Sequence, residues 1–215
     1  KYWFIWILLF EVARIVFLFV NLNEIKAATA KSFLSLWYGL RMDLSMAAYI
    51  TLPVAIMVVL SLFILSLQQS TFYKFYSAII LFIILLFLFA DLGLFQAWGS
   101  RLDTTLLKYL SNPKEVWASV NHLPIFSILA FFIILYLLLL FAMNKWLRNA
   151  ILALQLPCKK WLAFITLIIL IGLFIIPLRG GFQLAPLNQS SVYFSDNNFA
   201  NMAALNAPWN FMHAI

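Results

Sequence analysis

The chain has 215 residues, of which 66% are hydrophobic, 18% aromatic and 10% charged, with a formal net charge of +7. No water-soluble domain buries that apolar fraction, and a mean hydropathy of +1.01 fits several spans of about 20 apolar residues, each able to cross a bilayer. The positive balance reads as loop charge that sets membrane topology; no basic, aromatic-interleaved surface suits nucleic acid, which is excluded as a partner.

In chain order, residues 2–22 form the first expected span, carrying Glu11 and Arg14 at the i, i+3 spacing that allows pairing on one helix face. Ala28-Thr29-Ala30 has the small residues of a signal-peptidase site. A cleavable apolar region is short and uncharged, however, so a retained helix is expected. Residues 23–43 read as a loop with a short interfacial helix, Leu36-Trp37-Tyr38-Gly39-Leu40-Arg41-Met42-Asp43. Trp and Tyr suit the headgroup layer there. Expected spans two and three cover 44–67, with Pro53 tolerable in a membrane helix, and 75–98, where Asp91 interrupts Ile, Leu and Phe.

Residues 104–123 read as a loop with one or two short helices, Asn112-Pro113-Lys114-Glu115 forming a helix start. Spans four and five are expected at 124–143 and 161–178, joined by a connection that carries Lys145, Arg148, Lys159 and Lys160 and no acid. The fold class is therefore all-α, a polytopic membrane protein with five transmembrane helices in residues 1–181. Residues 182–215 form a non-spanning extracytoplasmic tail: seven Asn and Asp and two Pro interrupt every window that could cross the bilayer. A surface helix is expected at 198–205, with Trp209 at headgroup level and the tail's apolar side resting on the interface or the bundle.

Topology follows from the basic connection, which belongs in the cytoplasm and puts the N-terminus inside and the tail outside. Helical rise places Arg14 ~18 Å and Asp91 ~22 Å from the inner ends of their helices. An unpaired charge at that depth is costly, so an Arg14–Asp91 pair across the bundle is expected. A functional reading groups Arg14 and Asp91 with Arg41, Asp43 and Arg101 as a lipid-headgroup site, because converging guanidiniums hold phosphate bidentately. A helix clamp and a purely interfacial anchor are the plainer alternatives. His122 and His213 have no ligand spacing, Cys158 stands alone beside two lysines, and no nucleophile elbow, P-loop or HExxH is present. Asn188-Gln189-Ser190 is a glycosylation tripeptide, uninformative without the host. No catalytic residue and no metal ligand are assigned in this chain.

Three blocks, G-L-R-M-D-L-S (39–45), D-L-G-L-F-Q-A-W-G-S-R-L-D (91–103) and R-G-G-F-Q-L-A-P-L-N (179–188) followed by S-V-Y-F-S-D-N-N-F-A-N-M-A-A-L-N (191–206), resemble in order and spacing the N-terminal membrane region of lipoteichoic acid synthase-like proteins. These are phosphoglycerol transferase and sulfatase-type members of the alkaline phosphatase superfamily. The resemblance implies a bacterial cell-membrane location and a membrane domain that positions a lipid donor at the outer leaflet. It also implies a following extracytoplasmic domain with a Thr nucleophile and a divalent metal, typically manganese. Lys1 in place of Met and an apolar segment at Ile215 lead to the expectation that the chain is part of a longer protein. The expected partners are membrane lipids and that further domain. The rival readings are a small transporter or channel, or a purely structural anchor; a transporter would favour polar residues near the midplane of several spans, and spans four and five have almost none.

Overall fold

A computed structural model of the chain describes residues 1–24, 30–104, 124–152 and 159–214. The protein is all-α, and five of its helices are long and apolar enough to cross a membrane. Helix α1 is Tyr2–Val20, α2 Ser35–Leu60, α3 Ser70–Trp98 and α4 Ile125–Leu152; α5 Lys160–Leu173 and α6 Ile175–Arg179 together make the fifth span. Two short tail helices follow, α7 Asn198–Ala204 and α8 Ala207–His213. The expected helices within 104–123, together with His122 and Cys158, lie outside the described residues.

Helix α2 is the centre of the bundle. It packs on α1, on the fifth span and on both tail helices, and half of its apolar window is buried. Small residues, Gly39, Ser45, Ala47, Ala48 and Thr51, let neighbours approach its backbone closely. Pro53 sits inside α2 without ending it, and the Tyr76 hydroxyl donates to the Ile50 carbonyl beside that position (2.9 Å). By contrast, α5 buries no residue, and most of α4 is exposed, as befits helices that face lipid on most sides.

Several boundaries differ from the sequence expectation: α3 starts at Ser70 rather than 75, α4 runs to Leu152 rather than 143, and both ends of α2 move. The short interfacial helix at 36–43 is not separate: it forms the first turns of α2, which starts at Ser35. That change brings Asp43 inside the bundle. At its other end α2 stops at Leu60 rather than running to Leu67. There the Ser61 hydroxyl turns back to the Val58 carbonyl (2.7 Å) and Gln68 donates to the Ser61 carbonyl (2.9 Å), folding the chain into a short 3-10 turn, Leu65–Gln68. Phe63, freed from the helix, meets Trp161 and Phe164 of α5 edge to face.

The tail packs on one end of the bundle. Its helices are N-capped by asparagines: Asn197 accepts from the Ala200 amide (3.0 Å) and Asn206 from the Trp209 amide (2.9 Å). Of the two resting places expected for its apolar side, the bundle is the one observed. Phe199 packs with Phe17 of α1 and Phe95 of α3, whose own ring centroids lie 4.7 Å apart, and Phe211 meets Phe87 of α3. Trp209 is enclosed by the bundle rather than presented at its surface. It is 1% exposed, and its indole N–H donates to Ser45 of α2 (3.1 Å), whose hydroxyl donates in turn to the Leu178 carbonyl of the fifth span (3.0 Å). An indole with a buried acceptor within reach does not need the wet interface.

Candidate functional site

Of the polar residues singled out in the sequence, Arg14, Asp43, Asp91 and Arg101 gather at the tail end of the bundle in two buried ion pairs. Arg14 of α1 meets Asp43 of α2 bidentately, Nη1 to Oδ2 at 2.6 Å and Nη2 to Oδ1 at 2.7 Å. The expected Glu11–Arg14 pair is present as well, at 3.0 Å. The expected Arg14–Asp91 pair is not formed. Asp91 of α3 pairs with Arg101, just past the end of its own helix, through Nε to Oδ1 and Nη2 to Oδ2, both at 3.0 Å. The left-handed Gly99 (φ +67°) turns the chain so that Arg101 folds back, and the Leu102 amide adds a bond to Asp91 (2.8 Å). Asp91 thus has a partner only ten residues away and is not available to Arg14.

Both arginines end on the same short helix. At the C-terminus of α7, the Met202 carbonyl accepts from the capping Leu205 amide (3.1 Å) and from Arg101 Nη1 (3.1 Å), and the Ala203 and Ala204 carbonyls accept from Arg14 Nε (3.1 Å) and Nη2 (3.4 Å). Cations at a helix C-terminus are also favoured by its dipole. Gly39 makes the approach possible: a Cβ there would lie 2.4 Å from the Arg14 guanidinium carbon and 2.6 Å from the Ala204 carbonyl oxygen. Asn206 closes the ring by donating to Asp43 Oδ1 (2.8 Å), and Asn210 donates to the Leu102 carbonyl (2.8 Å) while accepting from Gln189 (2.6 Å). Burial pushes the Arg101 guanidinium below its ordinary value, opposed by Asp91 and reinforced by the like charge of Arg14. Its carbon also sits 4.1 Å over the Phe17 ring.

Arg41 takes a different part of the tail. Its Nε donates to the Gly180 carbonyl (3.0 Å), Nη1 to the Ser191 carbonyl (3.5 Å) and Nη2 to the Gln183 side chain. Two residues along one helix, Arg41 and Asp43 face different neighbours. Sequence reasoning missed Gly39, Ser45, Asn206 and Asn210 as members of this network. A partial signal was available for the asparagines, since Asn206 precedes Ala-Pro in a helix-start pattern.

Beside the ion pairs lies a cavity of about 490 Å³ between α1, α3 and α4, with Arg14, Asp43, Asp91, Arg101 and Asn206 in its wall and otherwise mainly apolar side chains. A second, apolar cavity of about 200 Å³ continues from it along the α1–α4 seam; Leu9, Val12 and Leu139 line both. From Phe17 in the first to Ile5 in the second is twelve residues of α1, about 18 Å at ~1.5 Å per residue. Among the described residues, no group of three or more His, Cys, Asp or Glu comes together to hold a metal, so no step through one is derived. The chain matches no family model, no curated protein and no solved structure.

Proposed function

We propose that the chain is a membrane-anchoring domain that holds a lipid at the tail end of its bundle, in the outer leaflet, as in lipoteichoic acid synthase-like phosphoglycerol or phosphoethanolamine transferases and sulfatase-type hydrolases. The observation that carries this reading is the pair of joined cavities between α1, α3 and α4. They form a slot about as long as an extended acyl chain, apolar along its length and charged at one end. Lipid-handling sites need that combination, an apolar wall with a few convergent polar groups.

The two arginines divide the work. A guanidinium has five N–H donors, and Arg14 directs all five to Glu11, Asp43, Ala203 and Ala204. Its role is to fix the end of the slot and lock the tail in place. Arg101 directs three to Asp91 and Met202, which leaves it as the cation that meets ester or phosphate oxygens of a bound lipid, with Asp91 holding its orientation. Asp43 holds Arg14, and Arg41 holds the tail. The phosphoryl or sulfuryl chemistry, with its divalent metal, would belong to the extracytoplasmic domain that the resemblance implies. The saturation of Arg14 favours a second reading, a structural anchor in which the ion pairs only clamp helices.

Photo-crosslinking separates the two. The chain is reconstituted with a phospholipid bearing a diazirine at the end of one acyl chain. Adducts are expected to concentrate on Leu9, Val12, Leu139 and Met143, and to fall several-fold when Val12→Trp fills the slot. Adducts spread evenly over the exposed faces of α4 and α5, unchanged by Val12→Trp, would leave only the structural anchor.

A further inference from the structure

A second surface at the tail end carries apolar side chains with no cover. Immediately after the fifth span the chain makes a closed loop, from Arg179 to Leu187, sealed by the Leu187 amide donating to the Arg179 carbonyl (3.1 Å). It opens with two residues in the left-handed region, Gly180 (φ +78°) and Gly181 (φ +131°). Two arginines pin the loop: Arg41 holds Gly180 and Gln183, and Arg179 donates to the Leu184 carbonyl (2.8 Å). Its backbone is therefore held in place, yet Phe182 is 90% and Leu184 98% exposed. They stand at i and i+2, on either side of the Gln183 that Arg41 draws inward. Leaving two large apolar side chains in water is unfavourable, and a pinned loop that presents both outward has something apolar to present them to.

We propose that the loop 180–186 is an interfacial anchor that inserts Phe182 and Leu184 into the lipid at the tail end of the bundle, at the boundary of headgroups and acyl chains. Three observations choose lipid over a protein. The loop starts one residue after the fifth span ends, so it is continuous with a surface that already faces acyl chains; Ile175, on the last turn of that span, is 59% exposed. Trp37, 74% exposed, lies one turn before Arg41 on the helix that holds the loop, and aromatic residues at the end of a span mark headgroup depth. Finally, Arg179 is exposed at the base of the loop, where a guanidinium meets lipid phosphate. This replaces Trp209, which is buried, as the tail's point of entry into the membrane.

Spin labelling tests the proposal on the whole chain in nanodiscs. Nitroxides are placed at Phe182→Cys and Leu184→Cys, and at Asp196→Cys as a water reference, all with Cys158→Ser. Oxygen concentrates in the bilayer and a nickel chelate in water. The expected result is a positive depth parameter at 182 and 184 and a negative one at 196. A label at Ala185→Cys, also exposed, gives an independent reading should either first variant misfold, and is expected to fall between the two. Chelate access at 182 and 184 equal to that at 196 would put the loop in water, and exclusion of both reagents would mean a protein covers it; either overturns the proposal.

Discussion

At Arg14, the cost of a buried cation decides the local structure. An isolated charge at that depth costs several kcal/mol, and Arg14 meets two carboxylates and two carbonyls instead. Removing one partner of such a pair is worse than removing both, because a charge is then left uncompensated. Asp43→Asn is therefore expected to destabilise the bundle by about 3–5 kcal/mol, and Arg14→Gln with Asp43→Asn by less, measured as thermal unfolding in detergent micelles; additive losses in the double-mutant cycle would count against the pair. His213 is the histidine of the tail. Burial lowers its pKa from the ordinary value of 6.5, and the Trp209 carbonyl, which accepts from its Nδ1, only partly opposes this. With the folded value below the unfolded one, its contribution to stability is present above about pH 6.5 and is lost as pH falls below that. Acidification from pH 7 to 5 is expected to loosen the His213 ring from Trp209, on which it stacks at 3.7 Å. The loss should be visible in hydrogen exchange of residues 207–213 and absent in His213→Gln.

At the scale of elements, the tail shows how asparagines build structure. In the sequence they mark a segment too polar to cross a bilayer, and in the structure its two α-helices are seven residues each. The asparagines' individual jobs are not legible in the sequence: Asn188 and Asn197 cap turns, Asn201 ties the backbone of Phe194 and Ser195 (2.9 and 3.0 Å), and Asn206 both caps α8 and holds Asp43. Which cap also reaches a distant carboxylate depends on tertiary placement. Asn206→Ala should lose the cap, about 1 kcal/mol, and leave an Asp43 oxygen short of a donor. Exchange is expected to quicken through both tail helices, because Asn206 joins them; quickening in α8 alone would confine its role to the cap. The mispairing of Arg14 with Asp91 has a similar origin. Helical rise gives depth but not rotation about the axis, and starting the second span at Leu44 left Asp43 outside the helices being matched. The Glu11–Arg14 pair was legible because it needs only one helix.

At the scale of the molecule, five apolar periods separated by polar breaks made the five spans readable, and the break after Arg179 made the tail readable. Packing order was not, because Leu- and Phe-rich helices carry little to tell a central helix from a peripheral one. What singles out α2 is its run of small residues, which can be recognised only once its neighbours are known. Orientation rests on charge. Lys145 and Arg148 near the end of α4 and Lys159 and Lys160 at the start of α5 form a basic stretch without an acid, and short, basic, acid-free segments are retained in the cytoplasm. On the proposed orientation, Cys158, which lies outside the described residues, is expected on the cytoplasmic side, and the buried arginine pairs and the tail at the outer face. In intact cells an impermeant maleimide should therefore label Asp196→Cys in a Cys158→Ser background and leave the native Cys158 unmodified until the cells are permeabilised. The opposite pattern would invert the protein. The proposed lipid slot would then open toward the inner leaflet, away from the extracytoplasmic chemistry proposed for it.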